Sequence, residues 1–186
     1  MEITNLFYTP NRSDWRAWLQ QHYQSQKEIW LVSYSKASSR PNLPYNDAVE
    51  EALCFGWIDS INKKLDSERR AQRFSPRLAK SGYSQPNIER LRWLAERGLV
   101  MPEILAGLGD VLSADYIFPP DILDALQSDP RAWEHFQRFS GPYQRIRVAF
   151  VDGARKRPDE FQKRLGHLLA MTQKGKQFGY GIEKYF

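Results

Sequence analysis

The stretch CFGWIDS, residues 54–60, lies where a predicted helix gives way to a predicted strand. Asn46 is a residue type that caps helices, and three carboxylates follow it closely, as suits the positive end of a helix. Gly56 is a residue type that ends helices. The pattern therefore predicts a helix over residues 47–55 and leaves Asp59 beside large apolar side chains.

The alternation of a strand that begins at Trp57 places Trp57, Asp59 and Ile61 on one face. If that face is buried, an unpaired Asp59 carboxylate costs several kcal/mol of lost hydration, or it stays protonated. Asp59 therefore needs Arg, Lys or backbone donors, or it lies in a cleft. The sequence favours a structural role over a site, and both remain open.

A hairpin follows from WIDSINKKL and RRAQRFS, which are separated by a turn at Asp66 and Ser67. A four-residue loop over 65–68 sets Asp59 opposite Phe74 and Ser60 opposite Arg73. A slip of one residue sets Asp59 opposite Arg73 instead.

The remaining pattern predicts an α+β fold that is predominantly helical. EIWLVSYS, residues 28–35, is a predicted strand, and Ser13 is the predicted start of a helix before it. Helices are predicted from Ser84 onward. We expect an amino-terminal lobe over 1–112 with a small antiparallel sheet, a helical lobe over 113–175 and a tail over 176–186, within one compact unit.

Composition limits the classes of function. The single cysteine, Cys54, cannot form an internal disulfide or a multi-cysteine metal site, which fits a reducing cytoplasm. Its helix-end position predicts a buried, inert thiol. The three histidines are far apart in the sequence. No signal peptide, membrane span, cofactor or metal site is predicted, and we expect a cytoplasmic protein.

The net charge of +5 and the pI near 9.3 suggest nucleic-acid binding as one hypothesis. Acidic residues are interspersed among the basic ones, and no long basic block occurs. A solvated basic surface is therefore the favoured interpretation, and nucleic acid is the less favoured partner.

Two segments carry a resemblance to a known family. YNDAVEEALCFGWIDSINKKLD, RFSPR and SGYSQPN, and later FPPDILDALQSDPRAWEHFQRF with RIRVAFVDGARKRP, resemble the YdeI/OmpD-associated family of bacteriocin-protection proteins. The resemblance implies a cytosolic protein linked to stress tolerance. It implies no established molecular activity.

The chain departs from that family's pattern at several positions. Ser60 stands where the family usually has Gly, and Tyr83 where it usually has Trp. Glu160 and Phe161 stand where it has a Thr-Arg pair, so no ligand site is carried over to the last helix.

The candidate ligand site lies between the hairpin and the helix that starts at Ser84. Its residues are Trp57, Asp59, Lys63, Arg73, Arg77, Ser81, Ser84 and Asn87. The Arg77 guanidinium can bind a carboxylate or phosphate through two parallel hydrogen bonds, and Lys80 adds a positive charge at the same edge of the sheet. Free backbone N–H groups at a helix start can bind an anion. In the structural alternative, Ser84 is simply a helix cap and Arg77 a solvated edge residue.

Three hypotheses of function follow. The first is a stress-tolerance protein of bacteriocin-protection type that binds a small anionic ligand or a protein partner without catalysis. The second is an enzyme with Asp59 or Glu51 as the acid–base group and Arg77 as the electrostatic stabiliser. The third is a nucleic-acid-binding protein. The oligomeric state is not predicted.

Overall fold

The structure is a computed structural model that describes residues 3, 5–78 and 81–179. The described residues divide into two compact units. One contains residues up to 83 together with 90–112, and the other contains 84–89 together with 113 onward. Helices predominate and one sheet is present, which confirms the α+β prediction.

The first unit carries the sheet and the helices packed on it. Its elements are β1 (Leu6–Phe7), α1 (Arg12–His22), β2 (Ile29–Tyr34), α2 (Tyr45–Cys54), β3 (Trp57–Lys64), β4 (Arg69–Pro76), α4 (Pro102–Ala106) and most of α5 (Gly109–Ser113). Helix α3 (Gln85–Glu96) contributes residues to both units. The second unit contains α6 (Pro120–Gln127), α7 (Pro130–Arg138), α8 (Gly141–Asp152) and α9 (Pro158–Gln173).

The sheet has the strand order β1-β2-β4-β3. Strand β4 pairs antiparallel with both β2 and β3, but β1 runs parallel to β2. The sheet is therefore mixed: the predicted antiparallel pairing is present, and the two-residue strand β1, which the sequence did not predict, adds one parallel pair.

The hairpin register places Asp59 opposite Phe74, as a four-residue loop predicts. The loop is in fact one residue longer, since Lys64 pairs with Arg70. A shift in register between Asp59 and Asn62 compensates for the extra residue. This bulge breaks the alternation, so the prediction that Ile61 shares the core face was wrong: Ile61 is exposed.

Two indole N–H groups tie the helices to the core of the first unit. Trp15 of α1 donates to the Ala48 carbonyl of α2 at 3.0 Å. Trp57 donates to the Tyr23 carbonyl at 3.0 Å. Both tryptophans are fully or almost fully buried, and each buried indole N–H is thus satisfied, as the low polarity of a core requires.

A buried group of charges joins α1 to α2. The Arg12 guanidinium lies 3.1 Å from Asp47, 2.8 Å from Glu50 and 2.5 Å from Glu51. Arg16 binds the other Glu51 oxygen at 2.6 Å. The Glu50 side chain is fully buried and that of Glu51 nearly so, and burial of such charges is tolerated only with close partners.

Several helix starts differ from the predicted ones. Helix α2 begins at Tyr45, so Asn46 lies inside it, where its side-chain oxygen accepts from Arg90 at 2.9 Å. Helix α1 begins at Arg12, so Ser13 is not its cap. Gly56 does follow α2, with a positive φ of 71° that favours glycine.

The second unit is held by contacts between α7 and α9. Asp129 caps α7 by accepting from the backbone N–H groups of Arg131 and Ala132. The other Asp129 oxygen accepts from Gln173 of α9 at 2.7 Å. His135 of α7 contacts the Thr172 carbonyl at 3.0 Å.

The predicted tail over 176–186 is described only as far as residue 179. The Phe178 N–H donates to the Tyr143 hydroxyl at 2.9 Å, and the Phe178 ring contacts the His167 ring. Tyr180, Tyr185 and Phe186 lie outside the described residues, as does Lys80. Within the described chain, no helix is long and apolar enough to cross a membrane.

Removing Arg12 is expected to destabilise the first unit strongly. Arg12→Met removes one partner from Glu50 and one from Glu51, which keeps Arg16; complete loss of the partner in a buried pair costs about 3–5 kcal/mol, which is the upper bound here. The free energy of unfolding, measured by denaturant titration with tryptophan fluorescence, reports the change. Adding Glu50→Gln removes one of the two buried negative charges and is expected to restore part of the loss.

Arg138→Met is the matched control, because Arg138 forms an exposed ion pair with Glu134. Its loss is expected to stay below about 1 kcal/mol. An Arg12→Met loss no larger than that of Arg138→Met would contradict a stabilising role for the buried group.

The Asp129 cap is expected to make the second unit sensitive to acid. The N–H groups of Ala132 and Arg131 hold the pKa of Asp129 below its ordinary value of 3.8. The stabilisation is therefore present above that value and disappears as the pH falls through the lowered pKa. Asp129→Ala should lower the free energy of unfolding near neutral pH, and its difference from the unsubstituted protein should disappear in acid. Asp129→Asn keeps a capping oxygen without the charge, so its stability should vary less with pH. If Asp129→Ala lowers the free energy of unfolding equally at every pH, the cap does not make stability depend on pH.

Candidate functional site

A cleft of about 160 Å³ opens between α2 and the core face of the sheet. Its floor is apolar, and polar groups from β3, β4 and α2 lie around it. The lining residues are Leu31, Val32, Ser33, Leu43, Tyr45, Ala48, Asn62, Gln72 and Phe74. An apolar cleft with a few converging polar groups is the usual form of a small-molecule site.

Asp59 does not itself line this cleft, but its side chain contacts two residues that do, Tyr45 and Gln72. Its Oδ2 accepts from the Tyr45 hydroxyl at 2.8 Å and is 3.5 Å from the Gln72 amide nitrogen. Both donors reach the same oxygen. Within the described part of the chain, no group donates to Asp59 Oδ1, so one carboxylate oxygen is available to a ligand.

Tyr45 is a hydrogen-bond donor that stays protonated. Desolvation of its hydroxyl and the negative charge of Asp59 raise the pKa of Tyr45 to about 12. Although 57% of the residue is exposed, the hydroxyl points at the carboxylate. The Tyr45 proton therefore holds Asp59 Oδ2 in place at any physiological pH.

A line of side chains leads away from the cleft toward the hairpin loop. Arg70 donates to the Asn62 carbonyl oxygen at 2.6 Å, and the Asn62 amide donates to Gln72 at 3.0 Å. Arginine can only donate, so it fixes which way both amides point. The Gln72 amide nitrogen is thereby turned toward Asp59.

Two of the predicted cations lie on the opposite face of the sheet. Arg73 is opposite Trp30 and binds Glu28 at 2.7 Å. Lys63 is opposite Ala71, and its ammonium lies 5.8 Å from the Trp30 ring centre. Neither lines the cleft. Arg73 does come within 3.4 Å of the Ser60 hydroxyl, as the predicted register implies.

The other predicted residues are occupied elsewhere or stand apart. Trp57 is buried in the core and does not line the cleft. The Arg77 guanidinium lies 3.4 Å from the Tyr83 ring centre. Ser81 bonds to the Leu78 carbonyl at 2.9 Å within a turn. Of the predicted set, Asp59 is thus the residue whose side chain contacts side chains that line the cleft.

Ser84 and Asn87 belong to the second unit. Ser84 directly precedes α3, and its carbonyl accepts from the backbone N–H groups of Asn87 and Ile88 at 2.9 and 3.0 Å. This is the arrangement of a helix cap position.

The second acid–base candidate, Glu51, is enclosed by Arg12 and Arg16 and does not line the cleft. Cys54 is fully buried, and burial raises the pKa of its thiol to about 11. The thiol is therefore protonated at neutral pH and a poor nucleophile, as its helix-end position predicts. Among the described residues, no group of three or more His, Cys, Asp or Glu side chains could hold a metal ion.

Sequence reasoning missed Tyr45, Asn62 and Gln72. Asn62 and Gln72 are opposite each other in β3 and β4. Gln72 alternates with Phe74 along β4, so it shares the core face. A polar residue on a buried face was the available signal. Tyr45 reaches Asp59 only because α2 starts one residue before Asn46, which no local pattern indicates.

Comparison with known families divides the chain in two. Residues 7–107 match the model of a family described as a domain of unknown function, DUF8412, over more than half of the chain. The chain belongs to this family. Every residue that lines the cleft lies in the DUF8412 region. Residues 115–175 match a second model, described as bacteriocin-protection, YdeI or OmpD-associated.

The resemblance inferred from the sequence is thus confirmed for the carboxy-terminal region, which is of the bacteriocin-protection or YdeI type. The motifs of the amino-terminal half, GWID and RFSPR among them, fall within the DUF8412 region. No curated protein and no solved structure matches the chain significantly.

The Tyr45–Asp59 contact in the DUF8412 region predicts a titration change. Asp59→Asn removes the negative charge, so the pKa of Tyr45 is expected to fall from about 12 toward its ordinary value of 10. Tyrosine-ring NMR in alkaline solution measures the change, with Tyr45→Phe assigning the signal. Asp110→Asn, an exposed acid outside the cleft, is the control and should leave the Tyr45 titration unchanged. An identical titration in Asp59→Asn would exclude the contact.

Proposed function

We propose that the protein is a stress-tolerance protein of bacteriocin-protection type that acts by binding a small ligand in the cleft beside Asp59. The observation that carries the proposal is the geometry of that carboxylate. One oxygen is held by Tyr45 and Gln72, and the other has no donor among the described residues. A half-buried carboxylate with one such oxygen favours a ligand that brings its own N–H or O–H donor.

The volume and lining of the cleft limit the body of the ligand. A cavity of roughly 150 Å³ with apolar walls accommodates a molecule the size of benzene. The floor contains Leu31, Ala48 and Phe74, which suit an aromatic or branched aliphatic group. The ligand, or the part of it that enters, is therefore small and apolar with a polar end.

The charges around the cleft favour a cationic end. Among the described residues, no lysine or arginine lines it, while Asp59 adjoins it through Tyr45 and Gln72. The anionic ligand expected from the sequence relied on Arg73, Arg77 and Lys63, and these side chains contact Glu28, Tyr83 and Trp30 instead. We therefore propose a small amine, since an ammonium group supplies both the charge and the donors that Asp59 lacks.

Binding without catalysis is part of the proposal. Tyr45 holds its proton up to high pH, and Glu51 and Arg77 are engaged outside the cleft. An acid–base mechanism needs a group that titrates near neutral pH beside the substrate. The proposal also includes a cytoplasmic location, in keeping with a chain whose only cysteine is a buried thiol.

A thermal-shift series with matched probes tests the proposal. Benzylamine, benzyl alcohol and benzoate share one ring size and differ in charge. At ten times its Kd, a ligand adds about 1.4 kcal/mol of stability, which raises Tm by about 3–6 °C for a chain of this size. We expect this rise for benzylamine, a smaller one for benzyl alcohol and none for benzoate.

Asp59→Asn is expected to abolish the response to benzylamine, whereas the control Asp110→Asn keeps it. Isothermal titration calorimetry should confirm the loss, with Kd in the millimolar range that suits a ligand of this size. A larger shift with benzoate than with benzylamine would refute the amine and support an anion site. No shift with any probe would refute the cleft as a binding site.

A further inference from the structure

Five basic residues from three segments of the chain meet at one end of the sheet. Strand β2 ends at Tyr34, which is opposite Arg69, and Lys64 is opposite Arg70. The loop after β2 is bound here as well, because Ser35 N–H donates to the Glu68 carbonyl at 2.8 Å. We call this group the basic end; its cations are Lys36, Arg40, Lys64, Arg69 and Arg70.

The cations of the basic end mostly lack acidic partners. Arg40 bonds to the Tyr34 hydroxyl at 2.7 Å and Arg70 to the Asn62 amide oxygen, both neutral groups. Within the described residues, Lys36 and Lys64 make no hydrogen bond or ion pair, and both are exposed. Only Arg69 forms an ion pair, with Asp66.

This pattern differs from that of other arginines in the chain. Most of the described arginines away from the basic end form ion pairs with carboxylates, and Arg12, Arg73, Arg145 and Arg155 are examples. At the basic end, Asp66 is further committed to the turn by accepting from two backbone N–H groups. An excess of positive charge therefore remains on an exposed surface, where it attracts polyanions.

The basic end also carries an exposed guanidinium beside two aromatic rings. The Arg40 guanidinium lies 4.8 Å from the Tyr34 ring centre, and the Tyr34 ring contacts the Tyr8 ring edge-to-face at 5.0 Å. Arg40 is exposed, so its planar guanidinium is accessible from solvent. Nucleic-acid bases stack on aromatic rings and on arginine planes when they are not already stacked in a duplex.

We propose that the basic end binds single-stranded nucleic acid, with Lys36, Lys64 and Arg70 on the phosphates and Arg40 stacked on a base. The proposal is independent of the ligand in the Asp59 cleft. The sequence alone gave nucleic acid less weight because no long basic block is present. Folding supplies the cluster that the linear sequence lacks, since pairing of β2, β4 and β3 joins residues that are distant in the chain.

Fluorescence anisotropy with a labelled 20-nucleotide oligothymidylate tests the proposal. We expect binding in the micromolar range at low salt, with affinity falling as salt rises. Three cations that each neutralise one phosphate predict a log–log slope of about −2, or roughly a 20-fold loss between 50 and 200 mM salt. A duplex of the same length, whose bases are already stacked, should bind more weakly.

Two variants separate charge from stacking. The double variant Lys36→Glu and Lys64→Glu breaks no side-chain hydrogen bond, and it should at least halve the salt slope. Arg40→Lys keeps the positive charge but loses the planar guanidinium on which a base can stack. Affinity for the oligonucleotide should therefore fall about fivefold or more, while the salt slope stays unchanged. Lys156→Glu with Lys174→Glu changes the net charge equally in the second unit and is the control.

The proposal is overturned if the control loses as much affinity as Lys36→Glu with Lys64→Glu, since the effect would then be one of net charge alone. It is also overturned if the duplex binds more tightly than the single strand. Binding to anionic phospholipid vesicles without binding to the oligonucleotide would identify a membrane surface as the target instead. Circular dichroism of each variant verifies that the fold is retained.

Discussion

The Arg12 guanidinium holds together the part of the molecule on which the cleft depends. It contacts carboxylates on two successive turns of α2 and so fixes that helix against α1. Because α2 is fixed, its first residue, Tyr45, reaches across to Asp59 on β3. The same two helices cover the core face of the sheet, with Trp15 bonded to the Ala48 carbonyl. The ion pairs of Arg12 with the buried carboxylates of α2 therefore also determine where the cleft lies.

Two places on the sheet of the first unit carry charge of opposite sign. At the cleft, a carboxylate lies beside apolar walls, and no cation lines them. Toward the hairpin loop, cations exceed acids. Arg70, Asn62 and Gln72 form a continuous line of hydrogen bonds between the two places. Because every donor in that line points toward Asp59, a change at Arg70 can alter how the carboxylate is held without any movement of the backbone.

The sequence predicts local structure well and long-range pairing poorly. The helix stop at Gly56, the hairpin, the register of Asp59 against Phe74 and the Asp129 cap all follow from local patterns. The partner of Arg73 does not, because it depends on β4 lying beside β2, and Glu28 precedes β2. For the same reason the neighbours predicted for Asp59 differ from those observed: nothing near Asp59 in the sequence indicates Tyr45 or Gln72.

The bulge after Asp59 has a consequence beyond register. Strand β3 is an edge strand of the sheet, and a regular edge strand of eight residues would be a template for pairing with another chain. The bulge bends the strand at Ser60 and Ile61, and Lys63 and Lys64 add charge beyond it. Deleting one residue here would straighten the strand into a regular edge. Such a shortened protein would keep its core and become prone to aggregate, so the extra residue is a safeguard of solubility.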